Sequence, residues 1–300
     1  MSYYIPDGTT VTMNSRELVF GSTIEQMQDT DDIREDTAAL QACLAKEGYL
    51  LFRNFHDREQ IMKARGEILA YMSEEDMLRP DGPVEEGGIG PGNRSTIFRH
   101  KIIQDRFPSF LEVVNSDRII TFFERYLSGG VLSLDHKWLR AVGHGVHTNA
   151  HCDVVYMGKG TKQLYTVWTA FDDITLDMGP LAVNLGSHQR HQLKATYGAS
   201  DAHDDLETGW LSDDPHEVTD MLDTRWASTS FTMGDVVIFG MYFLHGSLDN
   251  TSVRYRLSSD TRYQLASEPV DVRHMGDTPD EILKAADRKT MAQARREWGI

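Results

Sequence analysis

The sequence predicts a mainly β protein with flanking helices, and three observations carry that prediction. From Val131 onward, short β-rich runs recur between turn residues: VLSLDHKWLRAV, QLYTVWTAF, PLAVNL, STSFTMGDVVIFG and YRLSSDTRYQL. Segments with helical periodicity and cap residues precede them. A capped helical segment follows them and closes the chain. Strand spacing of this kind fits a sandwich or barrel better than alternating βαβ units. No internal repeat or linker divides the 300 residues, so a single domain of that length is expected.

Taken in order, residues 1–35 are polar and acidic with little periodicity and read as a loosely packed arm. Asp36 is placed to cap a helix carrying Leu40, Cys43 and Leu44 on one face, with Gly48 as its stop. YLLF, Tyr49 to Phe52, reads as a short buried strand, and Asp57 with Gln60 as the capping box of a second helix to about Met72. RPDGPVEEGGIGPGNRSTI is rich in Gly and Pro; it reads as a mobile loop, either a lid or a plain surface excursion. FPSFLEVV and SDRIITFFERYL are expected helices closed by Gly129 and Gly130, which puts the helical part at about 36–130 and the β core at about 131–265. A polar, acidic insertion without assigned structure lies between Gln189 and Ala227. Thr278, Pro279 and Glu281 open a last helix, about 279–298.

An apolar content of 40% and a charged content of 25% describe an ordinary globular protein. A net charge of −16 argues against nucleic acid or an anionic membrane as partner, because both require a basic face. The two cysteines, Cys43 and Cys152, are too few for a disulfide framework and fit a reducing compartment. MSYYIPDGTT has no secretory pattern, and no apolar run approaches the roughly 20 residues of a membrane span. A cytoplasmic, soluble protein is expected.

The chemistry concentrates in HGVHTNAHCDVVY. On an extended segment His151 and Asp153 point to one face and Cys152 to the other. One further ligand would complete a two-histidine, one-carboxylate facial triad, the donor set of non-haem Fe(II). His-x-Asp alone is a weak signal. His245 follows the strand GDVVIFG, and Arg256 opens the next strand, so a hairpin would return the guanidinium beside the histidine. Arginine's planar fork matches a carboxylate, as a metal-chelating dicarboxylic cosubstrate requires. A zinc site from His144, His147 and His151 is conceivable on spacing, but it leaves His245 and Arg256 unexplained.

His151-x-Asp153, WTAF at Trp168, MGPLAVNLGSH (Met178 to His188) and HGSLDN with Arg256, in that order, resemble the phytanoyl-CoA dioxygenase family over roughly Val131 to Leu265. GYLLFRNF is similar to the family's usual opening. The resemblance implies a double-stranded β-helix core, a jelly roll related to the cupins. It implies a dioxygenase that uses Fe(II), 2-oxoglutarate and O2, oxidises a small molecule and releases succinate and CO2. His151, Asp153 and His245 match the iron ligands, and Arg256 matches the partner of the distal carboxylate of 2-oxoglutarate. Ser247 and Trp168 match positions lining the cosubstrate; a turn serine and a core tryptophan are the plainer readings. With a carboxylate at position 153 hydroxylation is favoured over halogenation, while desaturation, epimerisation and ring closure stay open.

Arg254 and Arg262 share Arg256's parity and read as salt-bridged structural residues. His144 and His147 read as loop residues beside the site, and His188 as a structural corner. An acyl-CoA substrate would need basic residues. The candidates are Arg94, Arg99, His100 and Lys101 after the Gly-rich loop, or Lys137 and Arg140 on the strand before the metal loop. A free metabolite or natural-product intermediate needs none. Two other functions compete: a cupin-like metal-dependent isomerase or lyase, and a non-catalytic iron or 2-oxoglutarate sensor. An isomerase has no use for Arg256.

Overall fold

The chain opens with a hairpin where a loose arm is expected. In the computed structural model, which describes residues 3–276, 278–287 and 289–300, β1 (Thr10–Met13) and β2 (Arg16–Val19) pair antiparallel. Asn14 and Ser15 both take positive φ, 50° and 61°, the two-residue turn whose twist suits a hairpin. β3 (Ile24–Gln26) then joins a sheet, and Met13, Leu18, Phe20, Ile24 and Met27 are buried. Apolar alternation over runs of four residues was too short to stand out from the polar background.

The next elements follow local signals. Asp36 accepts from Ala39 N and caps α1 (Thr37–Glu47); Gly48 ends it at φ 87°. β4 (Tyr49–Phe52) is buried throughout. Asp57 accepts from Glu59 N and Gln60 N at the start of α2 (Arg58–Glu74). The Gly-rich stretch is pinned by bridges Leu78–Ile89 and Gly88–Arg254 and ends in β5 (Thr96–Ile97), so it is an ordered excursion that delivers Ile97 to the sheet edge. After α3 (His100–Arg106), α4 (Pro108–Val114) and α5 (Asp117–Leu127), Ser128 takes the left-handed cap that the two glycines were expected to supply.

β6 (Val131–Ser133), β7 (Trp138–Val142), the short α6 (Val154–Met157), β8 (Tyr165–Ala170) and β9 (Leu181–Leu185) follow. The insertion holds α7 (His191–Ala195) and α8 (Pro215–Leu222) and leads into β10 (Arg225–Ser228). β11 (Val236–Gly240), β12 (His245–Ser247) and β13 (Arg256–Leu265) complete two sheets. One has the order β12-β9-β10-β3; the other runs β4-β11-β8-β13-β7-β5, with β6 also paired to β13. The expected terminal helix is instead two, α9 (Asp280–Asp287) and α10 (Met291–Glu297). Thr290 with Gln293 forms the capping box of α10, while the Thr278 hydroxyl donates to Val272 O.

The sheets pack face to face. Leu51, Trp168, Val237 and Phe239 of the larger meet Leu181, Val183 and Ala227 of the smaller. Behind the larger sheet, Leu50, Phe52, Val167 and Ile238 meet α1 and α5, which explains why β4 is apolar at every position. The core is thus sheet-rich with flanking helices, although helix, at about 33%, exceeds strand, at about 24%. A buried ionic network ties the insertion and the C-terminal segment to the core: Lys159 lies 3.4 Å from Asp201, and Arg273 lies 3.2 Å from Asp201 and 2.7 Å from Asp271. Among the described residues no helix is long and apolar enough to cross a membrane.

Candidate metal centre

His151 and His245 are brought together by one antiparallel bridge. His151 N donates to His245 O at 2.9 Å, and His245 N donates to His151 O at 3.0 Å. Side chains of such a pair project to the same side, and the two rings lie 4.3 Å apart. Asp153 reaches them differently from the sequence reading. It is helical, φ −62° and ψ −24°, at the start of α6, so the turn at Cys152 swings its carboxylate toward the histidines. Cys152 points into the core, its thiol against Tyr242 O.

Ligand atoms of His151, Asp153 and His245 all lie within 4.8 Å of one another. Asp153 Oδ1 is 3.9 Å from His151 Nε2 and 4.0 Å from His245 Nε2. His151 Nδ1 lies 2.8 Å from Asn149 O and His245 Nδ1 lies 3.0 Å from Phe243 O. Each Nδ1 therefore carries the proton and each Nε2 lone pair faces the centre, the outer-shell arrangement that fixes metal-binding imidazoles. Burial and the neighbouring His245 push His151 down to about 3, leaving it neutral. Burial would raise Asp153, but the charge of the Arg262 guanidinium, with the Thr166 hydroxyl bond, outweighs it and holds the carboxyl well below its ordinary range. Arg262 donates to both carboxylate oxygens, at 3.1 and 3.0 Å, and the Thr166 hydroxyl donates to Oδ2.

β13 explains the rest of the site. Leu257 and Tyr263 join the helix-covered cores, while Arg256, Asp260 and Arg262 line cavities on the other face. Arg256 is 1% exposed, its guanidinium donates to Gly179 O, and its Nε has no hydrogen-bond partner. No carboxylate lies within ion-pair distance among the described residues, and burial, followed by the charge of Arg140, lowers it to about 9. A buried cation left this way is costly unless an anion arrives. Between Arg256 and the two histidines lies a cavity lined by Trp168, Ser247, Thr148 and Leu181. It is narrow, about 10 Å³, so seating a dicarboxylate requires these side chains to draw apart. The donor chemistry fits at both ends: two imidazoles and a carboxylate for a divalent ion, a guanidinium for a carboxylate.

The other sequence candidates separate clearly. Arg262 is salt-bridged as expected, and its partner is the candidate metal carboxylate. Arg254 precedes β13 and pairs with Asp172 at 3.1 Å. Arg140 lines the site and pairs with Asp260 at 2.7 Å. Lys137 does not line it: its ammonium donates to Ser133 Oγ and Leu134 O, and burial lowers it to about 8. Arg94 donates to Glu75 O, and Lys101 pairs with Asp105 at 3.3 Å. Arg94, Arg99 and Glu75 line a separate groove. His144 is exposed, His147 reaches the site wall, and His188 Nε2 meets Ala45 O at a corner. Trp138, Tyr156, His203, Trp210 and His274 line the site without having been singled out. Trp138 was within reach of a parity argument on its strand; the others depend on how insertion and tail pack.

A family model described as phytanoyl-CoA dioxygenase (PhyH) matches residues 44–258. No curated protein matches the chain. Among solved structures, the epimerase SnoN in complex with Fe3+, alpha ketoglutarate and nogalamycin RO is similar, with TM-score 0.56 and 18% identity over 78% of this chain and 87% of SnoN. The non-heme alpha ketoglutarate dependent carbocyclase SnoK from nogalamycin biosynthesis has TM-score 0.58 and 15% identity, over 86% of this chain and 94% of its own. EctD from S. alaskensis with 2-oxoglutarate and 5-hydroxyectoine has TM-score 0.55 and 17% identity, over 86% and 85%. At these identities the likeness is one of fold.

Proposed function

The chain belongs to the phytanoyl-CoA dioxygenase family, matched over residues 44–258, and from that premise we propose that it is a single-domain Fe(II)- and 2-oxoglutarate-dependent oxygenase that hydroxylates a C–H bond of a small molecule. The observation that carries the reading is Arg256, a buried arginine without a carboxylate partner among the described residues, at the far end of a cavity that begins at His245. His151, Asp153 and His245 would hold the iron; Arg256 would clamp the distal carboxylate of 2-oxoglutarate, with Ser247 and Trp168 along its length. When bound, iron with 2-oxoglutarate and O2 supplies oxidative decarboxylation that ends in succinate, CO2 and an oxidised substrate carbon.

The chain's own residues orient and exclude. Phe243 O and Asn149 O hold the imidazole tautomers, Arg262 and Thr166 hold the carboxylate, and Trp168 packed on Phe231 at 4.6 Å keeps the inner end dry. Two sheets packed face to face, with the ligands on an inner rim, support a double-stranded β-helix. The free thiols Cys43 and Cys152 fit a cytoplasmic setting. A metal-dependent isomerase or lyase would leave Arg256 without a purpose.

Anaerobic addition of Fe(II) and 2-oxoglutarate should develop the weak visible charge-transfer band of the chelate. Arg256→Ala should weaken 2-oxoglutarate about 30-fold or more, as loss of one partner of a buried charge pair does, while Asp153→Ala should mainly weaken the metal. Unchanged cosubstrate affinity in the arginine variant refutes the assignment. Succinate release across a metabolite panel then tests turnover.

A further inference from the structure

Over the metal centre opens a cleft of about 470 Å³, within the roughly 300–1,000 Å³ of pockets that take one small molecule. Arg140, Arg262 and His147 stand in its wall, and each already faces a carboxylate. Arg140 is 2.7 Å from Asp260, Arg262 is 3.0 Å from Asp153, and His147 Nδ1 is 3.0 Å from Asp249, close but not aligned as a hydrogen bond. Arg256, buried with no carboxylate within ion-pair distance among the described residues, lies in the inner cavity. His274 is pushed down to about 4 by burial and presents a neutral ring. Among the described residues no lysine lines this wall, and neither of its arginines offers uncommitted positive charge to a phosphate.

What the wall does offer is ring surface. The Arg262 guanidinium sits 4.4 Å from the centre of the Trp138 ring, and His274 tilts against that ring at 5.4 Å, so its plane is fixed from two directions. Tyr156 donates its hydroxyl to Gly209 O at 2.9 Å and sets its ring edge-on to His151 at 5.7 Å. The bond to Gly209 commits the hydroxyl, so the carbon surface of the ring is what Tyr156 adds to the cleft wall. Trp210 is 39% exposed and Ile97 49% exposed, and both line the cleft. With Trp138 and Tyr156 they make a contiguous concave apolar surface of the kind that marks a ligand-binding groove. The basic residues Arg94 and Arg99 lie in the neighbouring groove, which shares only Ile97 with the cleft.

We propose that this cleft takes an uncharged, ring-bearing small molecule held against the rings of Trp138, Tyr156 and Trp210, and that a phosphate-bearing thioester is not its ligand. The proposal deepens the oxygenase reading and rests on it for which end of the ligand faces the metal. Tyr156, in edge contact with the ligand histidine, and Trp138, stacked on the arginine that grips Asp153, join ring recognition directly to the reacting centre.

The test uses the full chain loaded with Zn(II), which does not turn over, and 2-oxoglutarate. Saturation-transfer NMR titrations compare 2-naphthol with 2-naphthyl phosphate, which adds charge to the same ring, and with trans-2-decalol, which keeps the shape and removes the π face. Naphthol is expected to bind saturably and about tenfold more tightly than either. Trp210→Ala should weaken naphthol about fivefold while Trp210→Phe holds it within about twofold, neither altering 2-oxoglutarate affinity. Equal or tighter binding of the phosphate, absence of saturable naphthol binding, or an unaltered Trp210→Ala variant each overturns the proposal. Failure of Zn(II) and 2-oxoglutarate to bind the wild-type chain overturns the oxygenase reading, and this proposal with it.

Discussion

Arg262 joins the candidate metal carboxylate to the wall of the cleft. It is buried, donates to both oxygens of Asp153, and rests on the Trp138 ring. Before any ion binds, its charge is the chief compensation for a carboxylate with almost no contact to water. Breaking a buried pair from one side leaves the other charge uncompensated, at a cost of about 3–5 kcal/mol. Arg262→Gln should therefore lower the unfolding free energy of the metal-free protein by about that amount. A divalent ion supplies the missing counter-charge, so adding Zn(II) should recover more stability in the variant than in the wild type. Chemical denaturation with and without Zn(II) checks both expectations. A loss under about 1 kcal/mol, or equal gains from the ion, would mean that the pair is not what holds Asp153.

At the level of elements, the turn before β9 links the Arg256 anchor to the smaller sheet. Gly179 has φ 70°, a Cβ there would lie 2.5 Å from Leu248 O, and its own carbonyl accepts from Arg256. Gly179→Ala must strain the turn by about 1 kcal/mol and displace backbone as well, so it should weaken 2-oxoglutarate binding more than metal binding. Gly130, with ordinary φ and open space around it, provides the control: alanine there should leave both affinities unaltered. Calorimetric titration of each variant distinguishes the two outcomes, and equal losses of metal and cosubstrate would sever the turn from the anchor. The same contrast explains what the sequence discloses. Asp36, Gly48 and Asp57 act within four residues of themselves, so α1 and α2 could be read directly. Parity along β13 sufficed to align Arg262 with Arg256, but not Arg254, which precedes the strand and turns to Asp172. Trp210 is brought to the cleft by Leu211 N donating to Ala150 O and by the Tyr156 and Tyr197 hydroxyls donating to Gly209 O, and His274 by the pairs of Arg273 with Asp201 and Asp271; no local pattern encodes that.

For the molecule as a whole, the buried histidines set how it meets acid. His56 sits where β4 hands over to α2, its backbone N–H donating to Gly234 O across the joint between helical part and sheets. Burial, aided by the charge of Arg118, lowers it to about 3, whereas an unfolded chain's histidine titrates near 6.5. As pH falls below about 6.5 the unfolded state binds this proton and the folded state does not, so stability is drained through the window down to about 3. Each pH unit inside that window costs about 1.4 kcal/mol for this one group, and above about 6.5 the contribution is constant. His56→Gln should lower stability at pH 7 by a fixed amount through lost packing, yet flatten the acid limb between about pH 6 and 4. Urea unfolding of the metal-free protein at half-unit pH steps gives both curves. The His151 imidazole, also held near 3, and the acidic excess of −16 act on wild type and variant alike and cancel in the difference. Converging curves toward pH 4 are expected; parallel curves would show that His56 is protonated in the folded protein and that its burial carries no acid sensitivity.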